Sequence, residues 1–163
     1  MTVLTCDQLP VESLRTLLSR FGLALIFIEP QAPIPGSFWG ESEAGLINHC
    51  LYVRPDTPVH SLLHEACHYI CMDSQRRIYL HTDAGGNYLE ENAVCYLQIL
   101  LADCLPHVGK KRMWADMDAW GYTFRLGSSQ TWFEQDAQDA QQWLRAYHLI
   151  DIDDQPTWQI RDK

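Results

Sequence analysis

Apolar residues recur at helical spacing over residues 10–21, where they form one stripe that predicts an amphipathic helix. Residues 23–29 are a continuous aliphatic run, which predicts a buried strand. Two more strands are predicted over residues 37–41 and 45–53, joined by a short turn as a hairpin. The first third of the chain is therefore expected to form one helix followed by three strands.

Helical periodicity then returns. Thr57 and Pro58 suit the N-cap and the first position of a helix that is expected to end near Met72. The remaining helices are predicted at about residues 88–104, 110–120 and 131–147. Strands followed by a block of helices are typical of an α+β fold, here with helices on one face of a small antiparallel sheet of about three strands. The whole chain, residues 1–163, is expected to form a single domain.

The charge and the cysteines narrow the class of protein. A net charge of −9 argues against direct binding to nucleic acid, because phosphate contacts need a basic surface. The sequence shows neither a signal peptide nor an apolar stretch of membrane-spanning length, so a cytoplasmic protein without a membrane partner is expected. The six cysteines are then expected to be free, buried thiols, as in a reducing compartment.

Residues 61–70, SLLHEACHYI, contain the pattern His-Glu-x-x-His within a predicted helix. His64 and His68 are four residues apart and project from the same face, close enough together to bind one Zn²⁺. Glu65 lies about 100° around the helix, where a carboxylate can act as the general base toward a metal-bound water. Chance would produce on the order of 0.015 such patterns in a chain of this composition.

An ordinary amphipathic helix with solvated histidines is the alternative interpretation. The apolar residues of this helix form one arc, which is expected to pack on the sheet: Val59, Leu62, Leu63, Ala66 and Ile70. His64 and His68 lie nearly opposite that arc, so their face must meet either water or another element. The helix predicted over residues 88–104 is the candidate for that element.

A catalytic zinc ion usually has three protein ligands, and the helix predicted over residues 88–104 offers a carboxylate as the third. Glu90 lies within the apolar arc of that helix, where an unpaired carboxylate is costly, so Glu90 is the expected ligand. Glu91 points away from the arc. Three alternatives stay open: Asn87 and Glu90 could form a capping box, and either Glu91 or His81 could be the third ligand.

HEACH, followed about twenty residues later by a helical Glu-x-x-Ala, resembles the gluzincins, the zinc peptidases with two His and one Glu as metal ligands. The closer likeness is to the small ImmA/IrrE-type metallopeptidases, in which a helix and a few strands precede the motif. The residues that stand in the register of that group are Glu90, Ala93, Tyr96, Leu100 and Leu101. The likeness covers roughly residues 10–104.

The resemblance implies a zincin-like fold, in which the small sheet packs against the HExxH helix and a second, ligand-bearing helix, with further helices after them. It also implies that His64, His68 and Glu90 bind Zn²⁺ and that Glu65 is the catalytic base. Two features depart from the group. Residues 102–103 replace the proline that often follows the paired leucines, and no helix-turn-helix segment for binding DNA accompanies the domain.

The expected function is a zinc-dependent peptidase that hydrolyses peptide bonds through a metal-activated water, with a peptide or protein as its substrate. The alternative is a catalytically silent zinc-binding module that acts in regulation or protein interaction. The hairpin before the motif is expected to offer an edge strand to an extended peptide. The candidates for stabilising the oxyanion are Tyr69, Tyr88, Tyr96, Tyr122, His107 and His148. The tryptophans of the C-terminal third, including Trp120, are interpreted as packing residues.

Overall fold

A computed structural model of the chain describes residues 2–40 and 42–163, and it confirms the predicted α+β class. The helices are Val11–Ser19 (α1), Val59–Cys71 (α2), Ser74–Ile78 (α3), Tyr88–Ala102 (α4), Gly109–Trp120 (α5), Ser129–Gln135 (α6) and Gln138–Ala146 (α7). The strands are Ala24–Phe27 (β1), Gly45–Ile47 (β2) and Cys50–Val53 (β3). All three strands precede the helices α2 to α7, as the order of patterns along the chain predicted.

The sheet has the order β1-β3-β2 and is mixed, which corrects the antiparallel prediction. β2 and β3 form an antiparallel hairpin whose turn uses Asn48 in the left-handed region, at φ 52°. β1 pairs with β3 in parallel, because β2 begins at the end of the sheet where β1 finishes, two positions away, and the hairpin then places β3 between them. The predicted strand over residues 37–41 is wrong for its described part, where only Ser37 forms an isolated bridge; Glu41 lies outside the described residues.

The helix boundaries follow the predictions closely in α1, α2, α4 and α5 and depart from them elsewhere. The single helix predicted over residues 131–147 is interrupted at Asp136 and Ala137, which separate α6 from α7. The short helix α3 was not predicted. Its N-cap is Asp73, whose carboxylate accepts a hydrogen bond from the backbone N–H of Arg76 at 2.9 Å.

The helix α4 lies at the centre of the helical layer and packs against α2, α5 and α7. The apolar arc of α2, which includes Leu62, Leu63 and Ala66, is fully buried. Helix α2 contacts the sheet through β2 and β3, and it contacts α4 on the opposite side. Because α2 lies between the sheet and α4, the histidine-bearing side of α2 meets α4 rather than water. No helix in the described part of the chain has both the length and the apolar character needed to cross a membrane.

Candidate metal centre

Two histidines of α2 and one glutamate of α4 converge at the interface of these helices. His64 Nε2 lies 3.1 Å from Glu91 Oε1, and His68 Nε2 lies 3.2 Å from Glu91 Oε2. One potential ligand atom from each of the three residues lies within 4.8 Å of the others. The two imidazole rings are nearly perpendicular, with centroids 4.7 Å apart, so both Nε2 atoms point at the same carboxylate. The predicted histidine pair is therefore held against a carboxylate from a second helix.

The carboxylate beside the histidines belongs to Glu91, and this corrects the expectation for Glu90. Glu90 lies one position earlier on α4, about 100° around the helix, and its carboxylate is buried on a different side. There Glu90 Oε1 accepts hydrogen bonds from Arg76 at 2.6 Å and from Arg161 at 3.1 Å. A buried carboxylate needs a partner, and two guanidinium groups supply it without a metal.

The predicted capping box at the start of α4 is present in part. The side chain of Asn87 accepts a hydrogen bond from the backbone N–H of Glu90 at 2.9 Å, as an N-cap does. The reciprocal bond from the Glu90 side chain does not form, because that carboxylate is held by the two arginines. The remaining alternative, His81, is exposed and hydrogen-bonds Thr82, away from the converging side chains.

The donor set of His64, His68 and Glu91 fits a catalytic zinc ion. Zinc–ligand bonds of about 2.0–2.1 Å in a tetrahedron place neighbouring ligand atoms about 3.3 Å apart. Each imidazole nitrogen lies at a similar separation, 3.1 or 3.2 Å, from a different oxygen of the Glu91 carboxylate, and one ligand atom from each residue lies within 4.8 Å of the others. Three nitrogen and oxygen ligands that border an open cavity are typical of catalytic zinc sites, whereas structural zinc sites are closed and usually rich in cysteine.

The electrostatic surroundings keep Glu91 ready to act as an anionic ligand. Burial raises the pKa of Glu91, but hydrogen bonds from His64 and His68 outweigh this effect and hold the pKa well below its usual range. The side chain is nevertheless half-exposed, at 47%, because it borders two cavities. Glu91 is therefore both ionised and accessible from solvent.

Gln98 of α4 hydrogen-bonds His64 on the ring nitrogen that faces away from Glu91. This residue was not predicted from the sequence. Its amide Oε1 lies 2.8 Å from His64 Nδ1, while its Nε2 donates to the backbone carbonyl of His60 at 3.0 Å. A carbonyl can only accept, so the amide nitrogen must face His60 and the amide oxygen must face His64. His64 Nδ1 therefore carries a proton, and Nε2 presents its lone pair toward Glu91 and His68 whenever the ring is neutral.

Buried His60 and partly buried Tyr122 extend this network. The Tyr122 hydroxyl lies 3.1 Å from His60 Nδ1 and 3.5 Å from Gln98 Nε2. Burial lowers the pKa of His60 to about 3 and raises the pKa of Tyr122 to about 12, so both groups are neutral near pH 7. These two neutral groups hold the Gln98 amide in one orientation.

Glu65 lies beside the converging side chains without contacting Glu91. It lines a cleft of ≈ 180 Å³ together with His64, His68 and Glu91, and only 6% of its surface is exposed. Burial raises the pKa of Glu65, although the nearby histidines oppose the effect. A carboxylate of raised pKa that faces the same cleft as the candidate ligands has the position of a general base.

The opposite wall of this cleft is the loop between α3 and α4. It contributes Thr82, Asp83, Ala84 and Gly85 to the lining. The carboxylate of Asp83 accepts a hydrogen bond from the backbone N–H of Gly85 at 2.9 Å, so it closes a turn.

The edge strand expected for peptide binding is already paired. On the outer side of β2, Leu46 N–H donates to the carbonyl of Gly36 at 3.2 Å, and the Leu46 carbonyl accepts from Thr82 N–H at 2.9 Å. At the end of β2, Asn48 N–H donates to the carbonyl of Leu80 at 2.9 Å. A peptide could not add to this edge by strand pairing without displacing these bonds, which corrects the expectation.

Two of the candidate oxyanion groups, Tyr88 and Tyr122, line a cavity beside the converging side chains. The hydroxyl of Tyr122 is directed at His60 and Gln98, whereas the side chain of Tyr88 is 74% exposed. Tyr96 donates to Asp154 at 3.0 Å, on the side of α4 that faces α7. Tyr88 is therefore the candidate whose side chain is exposed at a cavity that His64 and Glu91 also line.

Comparison of the chain with models of protein families, with curated proteins and with solved structures finds no match. The chemistry of the site therefore has to be argued from its own geometry.

Proposed function

We propose that this protein is a zinc-dependent peptidase, and that α2, α4 and the sheet form a zincin-like core. The observation that carries the proposal is the convergence of His64, His68 and Glu91 on one point, with Glu65 buried in the same cleft. A structural metal site would not need a second carboxylate, beyond the ligand, beside an open cleft. The six free thiols are consistent with action in the cytoplasm, which is part of the proposal.

In this proposal the chain holds zinc through His64 Nε2, His68 Nε2 and the carboxylate of Glu91. Zinc in such a site supplies a Lewis acid for the substrate carbonyl and lowers the pKa of water toward about 7. The Gln98 amide keeps the proton of His64 on Nδ1, so the ring presents Nε2 to the site. These side chains come from two packed helices, which keeps the ligands in a fixed relative position.

Glu65 then accepts the proton of the attacking water at its carboxylate and delivers it to the leaving amine of the cleaved peptide bond. Its raised pKa suits both steps, because a base whose pKa lies nearer the working pH accepts and releases a proton more readily. The loop over residues 82–85 and the aromatic pair Phe38 and Trp39 complete the lining of this cleft.

The test separates metal binding from turnover. Zinc-loaded wild-type protein and Glu65→Gln are incubated with a complex mixture of peptides, and new termini are identified by mass spectrometry. We expect about one zinc ion per chain in both proteins and cleavage by the wild type alone. Equal zinc content with no cleavage that depends on Glu65 would contradict the peptidase proposal and favour a zinc-binding module without turnover.

A further inference from the structure

A second, larger cavity lies on the other side of the candidate ligands. Its volume is ≈ 550 Å³, against ≈ 180 Å³ for the cleft that contains Glu65. Both cavities are lined by Trp39, His64 and Glu91, so they meet at the metal centre. A substrate whose reacting bond lies at this centre would extend into both. We call the larger cavity the aromatic groove, after its walls.

One wall of the aromatic groove is formed where the chain leaves α5. Trp120 is the last residue of α5, and Gly121 follows in the left-handed region at φ 107°, which ends the helix. Beyond that glycine the backbone is not helical, and Trp120, Tyr122 and Phe124 alternate along it. All three line the groove, together with the intervening Gly121 and Thr123, so the whole segment forms this wall.

The facing wall is one side of α4. Tyr88, Glu91, Asn92 and Cys95 line the groove, and their spacing of three or four residues places them on a single helical face. Trp39, from the connection between β1 and β2, contributes the remaining aromatic surface. The groove is therefore assembled from α4, the segment after α5 and the connection after β1.

The aromatic wall is held in place by contacts that do not involve a ligand. Trp120 Nε1 donates to Glu43 Oε1 at 2.6 Å, and the Trp120 ring lies against His60 with centroids 5.0 Å apart. Phe124 stacks on Trp132 at 4.8 Å. These contacts fix ring faces toward open space, and Trp39 and Trp120 remain 70% and 43% exposed. Large exposed aromatic surfaces beside a metal centre mark a binding groove.

The charges around the groove exclude an acidic side chain as its occupant. Its only titratable acids and bases among the described residues are Glu43, His64, Glu91 and the weakly acidic Tyr88, Cys95 and Tyr122. No lysine or arginine from the described part of the chain lines it, so an acidic side chain would find no counter-charge there. The Glu43 carboxylate already accepts hydrogen bonds from Trp120 and, at 3.3 Å, from the hydroxyl of Ser61, so it is engaged in holding the wall.

We propose that the aromatic groove binds a large apolar side chain, aromatic or aliphatic, of the residue next to the cleaved peptide bond. This inference rests on the proposed function, since the metal centre is what places the reacting bond between the two cavities. The smaller cleft, with its backbone and polar lining from residues 82–85, takes the residue on the other side of that bond. The protein would thus select its substrate by one bulky apolar residue.

The test uses hydroxamates, which bind zinc without being cleaved, on the zinc-loaded full-length chain. The probes are acetohydroxamate and N-acylated hydroxamates with the side chain of phenylalanine, serine, aspartate or lysine. Each is made in two forms that place the side chain before or after the zinc-binding group. Calorimetry gives the dissociation constants. In one of the two forms, we expect phenylalanine to bind about tenfold or more tightly than serine, because its ring leaves water on binding.

Variants locate the preference. Trp120→Ala and Trp39→Ala are expected to reduce the ratio of phenylalanine to serine affinity toward one, and each ratio is compared with the affinity of the same variant for acetohydroxamate. Tyr79→Ala is the matched control, because Tyr79 is 85% exposed and lines neither cavity; it should keep the wild-type ratio. Unfolding temperatures of the variants show whether each one folds, and the two tryptophan positions provide independent readings.

The outcomes separate this inference from the proposed function. Binding of acetohydroxamate with no preference for phenylalanine would overturn the inference and leave the metal centre intact. Tightest binding by lysine would also overturn it, and would make Glu43 the selecting group. A chain that binds neither zinc nor acetohydroxamate would overturn both proposals.

Discussion

Glu90 and Glu91 are neighbours in sequence, yet their carboxylates lie in two very different regions of the molecule. Glu90 is 4% exposed, and its Oε1 is paired with two cations, Arg76 from α3 and Arg161 from the C-terminal segment. The side chain of Glu91 is 47% exposed and faces two imidazoles at the meeting point of two cavities. The Glu90 carboxylate is enclosed by the fold, and the Glu91 carboxylate is accessible from the two cavities.

The region around Glu90 ties distant parts of the chain together. Arg161 hydrogen-bonds the backbone of Ile70 through its N–H at 2.9 Å and stacks on the Tyr147 ring at 4.0 Å, while its guanidinium contacts Glu90. Gly86 passes so close that a Cβ there would lie 2.4 Å from Glu90 Oε2. A carboxylate enclosed in this way connects α4 to the end of α2, to α7 and to the terminal segment.

The comparison teaches that burial alone does not identify a functional carboxylate. The buried glutamate is paired through Oε1 with two arginines, so its charge contributes to the fold. The more exposed glutamate is paired only with histidines, which exchange a proton for a metal ion readily. The identity of the partner, arginine or histidine, distinguishes the two roles.

The largest expected effect is loss of metal binding on changing Glu91. Glu91→Gln and His64→Ala should each weaken zinc binding by more than about 100-fold, because losing even an outer hydrogen-bond partner of a ligand costs about 10–100-fold. Dissociation constants come from competition with a chromogenic chelator. The unfolding temperature of the metal-free protein should stay close to that of the wild type. Full zinc affinity in Glu91→Gln would contradict the assignment of Glu91 as a zinc ligand.

Changing Glu90 should lower the stability of the fold and leave zinc affinity almost unchanged. Glu90→Gln leaves the two guanidinium groups without their shared anion, and we expect the free energy of unfolding to fall by about 2–3 kcal/mol. Zinc affinity should remain within a few-fold of the wild type. Urea denaturation at fixed zinc concentration measures the first quantity, and Glu12→Gln, at an exposed position of α1, is the control. A stable Glu90→Gln protein that loses zinc would reverse the assignment of the two glutamates.

A smaller effect is expected at Gln98. Gln98→Leu removes the acceptor from His64 Nδ1, and zinc affinity should fall by about 10–100-fold. Gln98→Glu keeps an oxygen facing His64 and should restore part of that loss. If the role of Gln98 were only to fill space in the interior, the Gln98→Leu protein would bind zinc as tightly as the wild type does. The zinc dissociation constants of the three proteins decide between the two roles.

Much of the framework around the site could be predicted from the sequence. The HExxH pattern placed His64, Glu65 and His68 on one helix, and the apolar arc of that helix showed which side packs on the sheet. These are local properties, because helical periodicity fixes which residues share a face. The boundaries of α2 and α4 follow from the same periodicity.

The choice between Glu90 and Glu91 could not be predicted in this way. The apolar arc suggested that Glu90 needed a partner, which is correct, but the partners lie 14 and 71 residues away in the chain. Pairings at such separations depend on tertiary packing. Gln98 did leave a signal, since it is a polar residue within an apolar run and lies seven residues, two helical turns, after Glu91.

Predictions that required the path of the chain also failed. The parallel pairing of β1 with β3 depends on β2 beginning two positions away from β1 in the sheet, and local patterns do not encode that position. Trp120 was interpreted as a packing residue because tryptophan usually is. Its place at the end of α5, followed by Gly121 at positive φ, directs it to the aromatic groove instead.

Anomalous diffraction at the zinc absorption edge, on crystals of the zinc-loaded protein, tests the central claim most directly. The account predicts one strong peak at bonding distance, about 2.0–2.2 Å, from His64 Nε2, His68 Nε2 and an oxygen of Glu91. It also predicts that Glu90 keeps its contacts with Arg76 and Arg161. A peak bonded to Glu90 or His81, or no peak between α2 and α4, would contradict the account.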